Sequence, residues 1–106
     1  MKLYIDSTDF NSVSYFLISA NKPIKKKKFK IDPHKSHETL GKLDEFLKSS
    51  KVGKSHIKTI VVNKGPGSYT GTRVGVTHAL ALGFAWDIPV QALNKPQFDA
   101  VIKKST

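Results

Sequence analysis

Residues 57–86 read IKTIVVNKGPGSYTGTRVGVTHALALGFAW, and the pattern of the chain changes twice within them. The apolar run Ile60-Val61-Val62 stops at Asn63, and a glycine-rich turn follows, Gly65-Pro66-Gly67-Ser68-Tyr69-Thr70-Gly71. The apolar segment after it, to Trp86, is too long and too rich in Ala, Leu and Gly for a strand. The stretch predicts strand, tight loop and buried helix. Amides at a helix N-terminus make such a loop a natural anion site, so Gly65, Gly67 and Thr70 are candidate phosphate-binding residues, with Asp6 at the end of the first strand. The standard fingerprints do not fit. Gly67 to Gly71 is one residue too long for a dinucleotide loop, and no Lys follows Gly71 as a P-loop requires.

Gly71, Gly75, Ala79 and Gly83 recur every fourth residue and form one small-residue stripe, which lets another backbone come close. Val76, Leu80 and Phe84 form the neighbouring stripe. A helix apolar on most sides must be covered on more than one. Its own sheet can cover one face. The second cover is either the amphipathic helix that begins near Ser36, with Leu40, Leu43, Phe46 and Leu47 as its apolar side, or a partner protein. The candidate interface residues are Leu40, Leu43, Leu47, Gly71, Gly75, Val76, Ala79, Leu80 and Gly83.

Around that centre, Lys2–Asp6, 10–19 and Ile24–Ile31 read as three strands of an antiparallel meander. A helix follows from Ser36, a good N-cap, to Ser50, with Gly53 as its stop. The strand from Ile57 to Asn63 and the helix from Thr70 to Trp86 come next. Ile88–Leu93 is a strand parallel to Ile57–Asn63 by the crossover rule, and Asn94 can cap a last helix, Pro96–Ile102, with Phe98, Val101 and Ile102 facing inward. Asp6 is also a natural strand-end turn residue, because Asp bonds its own nearby backbone.

With 106 residues and 39% hydrophobic content, the chain is long enough for a single core. It has no cysteine, which excludes a disulfide framework and a thiolate metal site. No apolar run approaches a membrane span and no signal-peptide pattern opens the chain, so a cytoplasmic protein without membrane attachment is expected. The net charge of +10 is almost all lysine, a point charge without the fork that reads phosphates bidentately. Lys25, Lys26, Lys27 and Lys28 head the densest run, Lys25 to Lys30. It reads either as an edge strand protected by charge or as a patch for transfer RNA phosphates, with Phe29 turned into the core. His34 and His37 lack a third ligand spaced to join them, and no metal is expected.

The order strand, strand, strand, helix, strand, helix, strand, helix is that of the ribonuclease H-like lobe of the actin and sugar-kinase (ASKHA) superfamily, an α/β fold with a five-stranded mixed sheet. KGPGSYTGTRVGV, the apolar helix and AWDIPVQAL resemble the N-terminal lobe of the TsaB (YeaZ-like) family, as does the opening MKLYIDSTDFNSVSYFLI. The resemblance implies a noncatalytic subunit that pairs with a TsaD-like enzyme, which holds the metal, in threonylcarbamoyladenosine modification of transfer RNA. It implies pairing, as a homodimer or heterodimer, through the helices Ser36–Ser50 and Thr70–Trp86. It implies no cofactor of its own and ATP only through the partner subunit. Residues 1–106 correspond to one lobe, without the second lobe of the family. The catalytic relative carries a His-x-x-x-His metal pair where this chain reads Leu93-Asn94-Lys95-Pro96-Gln97-Phe98-Asp99. The alternative function is a reduced phosphate- or nucleotide-handling enzyme using Asp6, the Gly65–Gly71 loop and Thr70.

Overall fold

The computed structural model describes residues 1–9, 11–20, 22–32, 38–67 and 69–104, without the side chains of residues 38–40, 54 and 69–71. Strands β1 (Lys2–Asp6), β2 (Ser12–Ser19) and β3 (Lys22–Lys30) form the meander, followed by helix α1 (Glu38–Ser50). A short 3-10 turn, Lys54–His56, leads into β4 (Thr59–Asn63), α2 (Tyr69–Trp86), β5 (Val90–Leu93) and α3 (Lys95–Lys104). The sheet order is β3-β2-β1-β4-β5, antiparallel through β3, β2 and β1 and parallel through β1, β4 and β5. This is the α/β lobe that the pattern predicts.

Alternation along the strands builds two cores. Leu3, Ile5, Val13, Tyr15, Leu17, Ile60 and Val62 face one side, where Leu43 and Phe46 of α1 and Ala79 of α2 close over them. Tyr15 stacks on Phe46 at 5.6 Å and meets Phe29 edge-on at 6.1 Å. Tyr4, Ile18 and Val61 face the other side beneath Phe98 of α3, whose ring lies 5.8 Å from Tyr4 and 6.3 Å from Phe16. The doubly apolar character of β2 follows from this division.

Element ends depart from the sequence reading for local reasons. Ser36, the expected N-cap of α1, lies outside the described residues. The helix stops not at Gly53 but at Lys51, whose φ of 56° lets its own N–H bond Lys48 and the Val52 N–H bond Leu47 O, a Schellman closure on a non-glycine residue. Asp87 ends α2 the same way at φ 55°, with the Ile88 N–H on Gly83 O. Ile88 thus belongs to the helix cap, and β5 starts only at Val90. At α3 the expected cap is present and reciprocal. Asn94 Oδ1 accepts from the Gln97 N–H at 2.9 Å, and Gln97 Oε1 accepts from the Asn94 N–H at 3.2 Å.

Candidate functional site

The C-terminal ends of β1, β4 and β5 meet at one edge of the molecule, where an open α/β sheet offers a binding crevice. Asp6 closes a turn there: its Oδ1 accepts from the Thr8 N–H at 3.0 Å and from Thr8 Oγ1 at 2.7 Å. Gly65 stands at φ 94°, follows Asn63 through a bond from its N–H to Asn63 Oδ1, and precedes a cis bond to Pro66. Gly67 presses on Thr8, where a Cβ would lie 2.8 Å from the carbonyl oxygen. Lys95 ties α3 in, with its N–H on Gly65 O at 2.7 Å and its Nζ 3.4 Å from Thr8 Oγ1. Thus Asp6, Gly65 and Gly67 do come together. The Asp6 carboxylate is engaged by Thr8, while the Asn63 Nδ2 and Thr72 Oγ1 are buried and find no partner among the described residues. The side chain of Thr70 lies outside the described residues.

Helix α2 has its small residues turned inward. A Cβ on Gly75 would run into Ser7 Oγ at the end of β1, and one on Gly83 into Val90 Cγ2 of β5. Ala79 is 0% exposed in the core between them. These residues, expected at a partner interface, are the seat of the helix on its own sheet, because only there can the α2 backbone approach strands so closely. Leu43 is likewise buried in the core. The surroundings of Gly71 and the side chain of Leu40 lie outside what the structure describes. Val76 and Leu47 are half-buried against the core, which leaves them part of a surface.

The opposite side of α2 is apolar and open. Leu80 is 57% exposed and Phe84 92%, with Ala81 and Ala85 exposed beside them. An open groove of about 480 Å³ lies between the C-terminal ends of α1 and α2, lined by Leu47, Val52 and Trp86 and edged by Lys48 and Lys51.

On β3 the lysines alternate between faces. Lys25, opposite Leu17, donates from Nζ to Ser49 O at the end of α1, and Lys27, opposite Tyr15, lies over the Phe29 ring. Lys26, Lys28 and Lys30 lie opposite Phe16, Ser14 and Ser12, on the α3 side.

A family model described as "TsaD: tRNA N6-adenosine threonylcarbamoyltransferase" matches residues 31–103. The chain belongs to this family. Within it the chain is TsaB/YeaZ-like. It is 45% identical over 49 residues to the tRNA threonylcarbamoyladenosine biosynthesis protein TsaB of Bacillus subtilis (strain 168), a match covering 46% of the chain and 21% of the relative. The TsaB of Haemophilus influenzae is 42% identical over 48 residues, covering 45% and 20%. YeaZ from Pseudomonas aeruginosa superimposes with a TM-score of 0.75 at 25% identity, over 88% of the chain and 44% of that structure. RuvC of T. thermophilus bound to a Holliday junction substrate has a TM-score of 0.63 at 14% identity, over 91% and 65%, a likeness of fold alone. The chain thus spans less than half of the YeaZ structure and about a fifth of the curated relatives.

For a TsaB-like chain, the informative residues that sequence reading passed over are those with no pattern. Asn63 ended a strand, and Lys95 was one lysine among many. His78, given no role, is buried with neither ring nitrogen bonded among the described residues, and burial lowers its pKa to about 4. Phe84 was placed in an apolar stripe but not singled out. Its signal was present: with Leu80 it is a large apolar residue on the side of α2 turned away from the small stripe. His34 and His37 lie outside the described residues, and no cluster of three metal-ligating side chains occurs among the described ones. No helix there is long and apolar enough to cross a membrane.

Proposed function

We propose that this chain is a noncatalytic subunit in threonylcarbamoyladenosine modification of transfer RNA, and that it pairs with a TsaD-like enzyme through the outer face of α2. The supporting observation is Phe84, 92% exposed beside exposed Leu80 on a helix whose inner face is fully seated. A large aromatic left in water on a rigid helix is the kind of anchor that dominates protein interfaces. Half-buried Val76 borders it on the same helix. Any ATP in the complex is then held with the partner. The test is co-elution of the chain with the TsaD-like protein of its source. Phe84→Asp and Leu80→Asp should each weaken the complex at least about thirtyfold, the scale of a hot-spot loss of ~2 kcal/mol. Undiminished pairing in both would refute this surface.

A second reading, a phosphate or nucleotide held at the Gly65–Gly67 loop, draws support only from Asn63 Nδ2 and Thr72 Oγ1, which find no partner among the described residues. It expects magnesium ATP to raise the melting temperature of the chain, and Thr72→Val to remove the rise. A flat melting curve at millimolar ATP would count against it.

A further inference from the structure

We infer that the α3-side face of β3 binds an RNA phosphate backbone through Lys26, Lys28 and Lys30. The strand register sorts the lysine run into two sets with different tasks. Lys25 and Lys27 project toward α1, where one bonds the helix-end carbonyl of Ser49 and the other covers Phe29. Lys26, Lys28 and Lys30 project to the far side and are all exposed. Alternate strand positions are about 6.6–6.8 Å apart, so the three lysines leave the strand at regular intervals along one face of an edge strand. Point charges at regular intervals suit a run of phosphates better than a single carboxylate, for which a forked guanidinium is the usual partner.

Asp9 pairs with Lys28 at 3.2 Å and offsets part of its charge. Hydrogen bonds from Ser12 and Lys28, with the charges of Lys28 and Lys95, hold the Asp9 carboxyl below the usual range. Lys95 at the start of α3, whose Nζ lies 3.4 Å from Thr8 Oγ1 beside Asp9, returns a positive charge to the same region. Protection of the edge from other strands needs only interrupting charge, and Lys25 and Lys27 already supply that. Phe29, the only aromatic residue in the run, packs on Tyr15 at the opposite face, and Phe16, opposite Lys26, packs edge-on against Phe98, so the run itself offers no ring for base stacking. The contact reads backbone and not sequence. The mapping narrows the sequence expectation of a patch over Lys25 to Lys30: Lys25 and Lys27 drop out, and Lys26, Lys28 and Lys30 remain.

The test uses this chain alone, so that its failure leaves pairing with a TsaD-like enzyme untouched. A labelled single-stranded RNA of about 20 nucleotides is titrated by fluorescence anisotropy between about 50 and 200 mM salt. K26Q/K28Q/K30Q should bind at least tenfold more weakly at the low end and flatten the salt slope by about 2, three contacts at ~0.7 each. K26R/K28R/K30R should retain binding. K42Q/K48Q/K51Q removes the same charge from the other side of the sheet and should stay within twofold. The inference is overturned by absent binding at low salt or by equal losses in the two glutamine sets. It is also overturned if polyglutamate of matched charge displaces the RNA equally well, which would assign the row to an acidic protein.

Discussion

The two sides of α2 differ in residue size in the direction opposite to what an interface helix suggests. Toward the sheet it presents Gly75, Ala79 and Gly83; toward solvent it presents Leu80 and Phe84. Small residues four apart report that some backbone comes close, and here that backbone is β1 and β5 of the same chain. The residues left for a partner are the large ones that none of the described residues covers. A substitution on the inner side should therefore act on folding, and one on the outer side on association.

The largest effect belongs to Gly75→Leu. Its Cβ would run into Ser7 Oγ and lie 3.0 Å from Ser7 Cβ, so even with the hydroxyl rotated away the leucine branch forces the helix off the strand end. A loss above about 4 kcal/mol is expected, read as the absence of a cooperative urea transition. Gly83→Val should cost less, about 1–3 kcal/mol, because valine adds a smaller side chain than leucine, although its Cβ would meet both Val90 Cγ2 and, at 3.0 Å, the Ile88 carbonyl oxygen. If Gly75→Leu melts with the parent, the inner face is not seated as described.

Next comes His78, buried on the same helix. Its folded pKa of about 4 lies below the ordinary 6.5, so the unfolded chain takes up the proton first as pH falls. Stability is undiminished above pH 6.5, decreases through the window from 6.5 to about 4, and is lowest below it. The full drop is about 3 kcal/mol. Urea midpoints at several pH values should show it, and His78→Leu should flatten that part of the profile. An unchanged slope in His78→Leu would place the ring in water.

These inner-face effects also mark how far the sequence could be read. The order of elements and the inward trio Phe98, Val101 and Ile102 follow from periodicity, a property of the chain alone, and the parallel return of β5 follows from the crossover rule. The capping of α3 by Asn94 was legible for the same local reason. Which side of α2 meets the sheet was not, because a helix apolar all round has little amphipathic asymmetry to orient it. The left-handed stop at Lys51 was hidden by Gly53, the residue type that ordinarily takes that position; the end of α2 at Trp86 was legible, but not the left-handed cap at Asp87. Nor could a run of lysines be divided between two faces before the β2–β3 register was known.

On the outer side of α2, Phe84→Asp should leave the chain folded with a stability within about 0.5 kcal/mol of the parent, while removing the partner as proposed above. A calorimetric loss of several degrees would mean that Phe84 supports the fold, and the contrast between the two sides would fail.

The smallest effects lie where the helices end. Lys51 and Asp87 occupy left-handed backbone at φ 56° and 55°, which costs an L-residue about 1–2 kcal/mol. Glycine removes that strain but gives back about 0.4–1 kcal/mol through the freer unfolded chain. Each substitution should thus gain about 0.5 kcal/mol, and charge should separate them. Lys51 follows the negative end of α1, where its ammonium is favourable; Asp87 follows the negative end of α2, where its carboxylate is not. Asp87→Gly should therefore stabilise more than Lys51→Gly, and Asp87→Asn, which keeps a residue tolerant of the left-handed region, should recover the electrostatic share alone. Equal gains from the two glycines, independent of salt, would show that backbone strain decides both stops and that the dipole of α2 does not reach its cap.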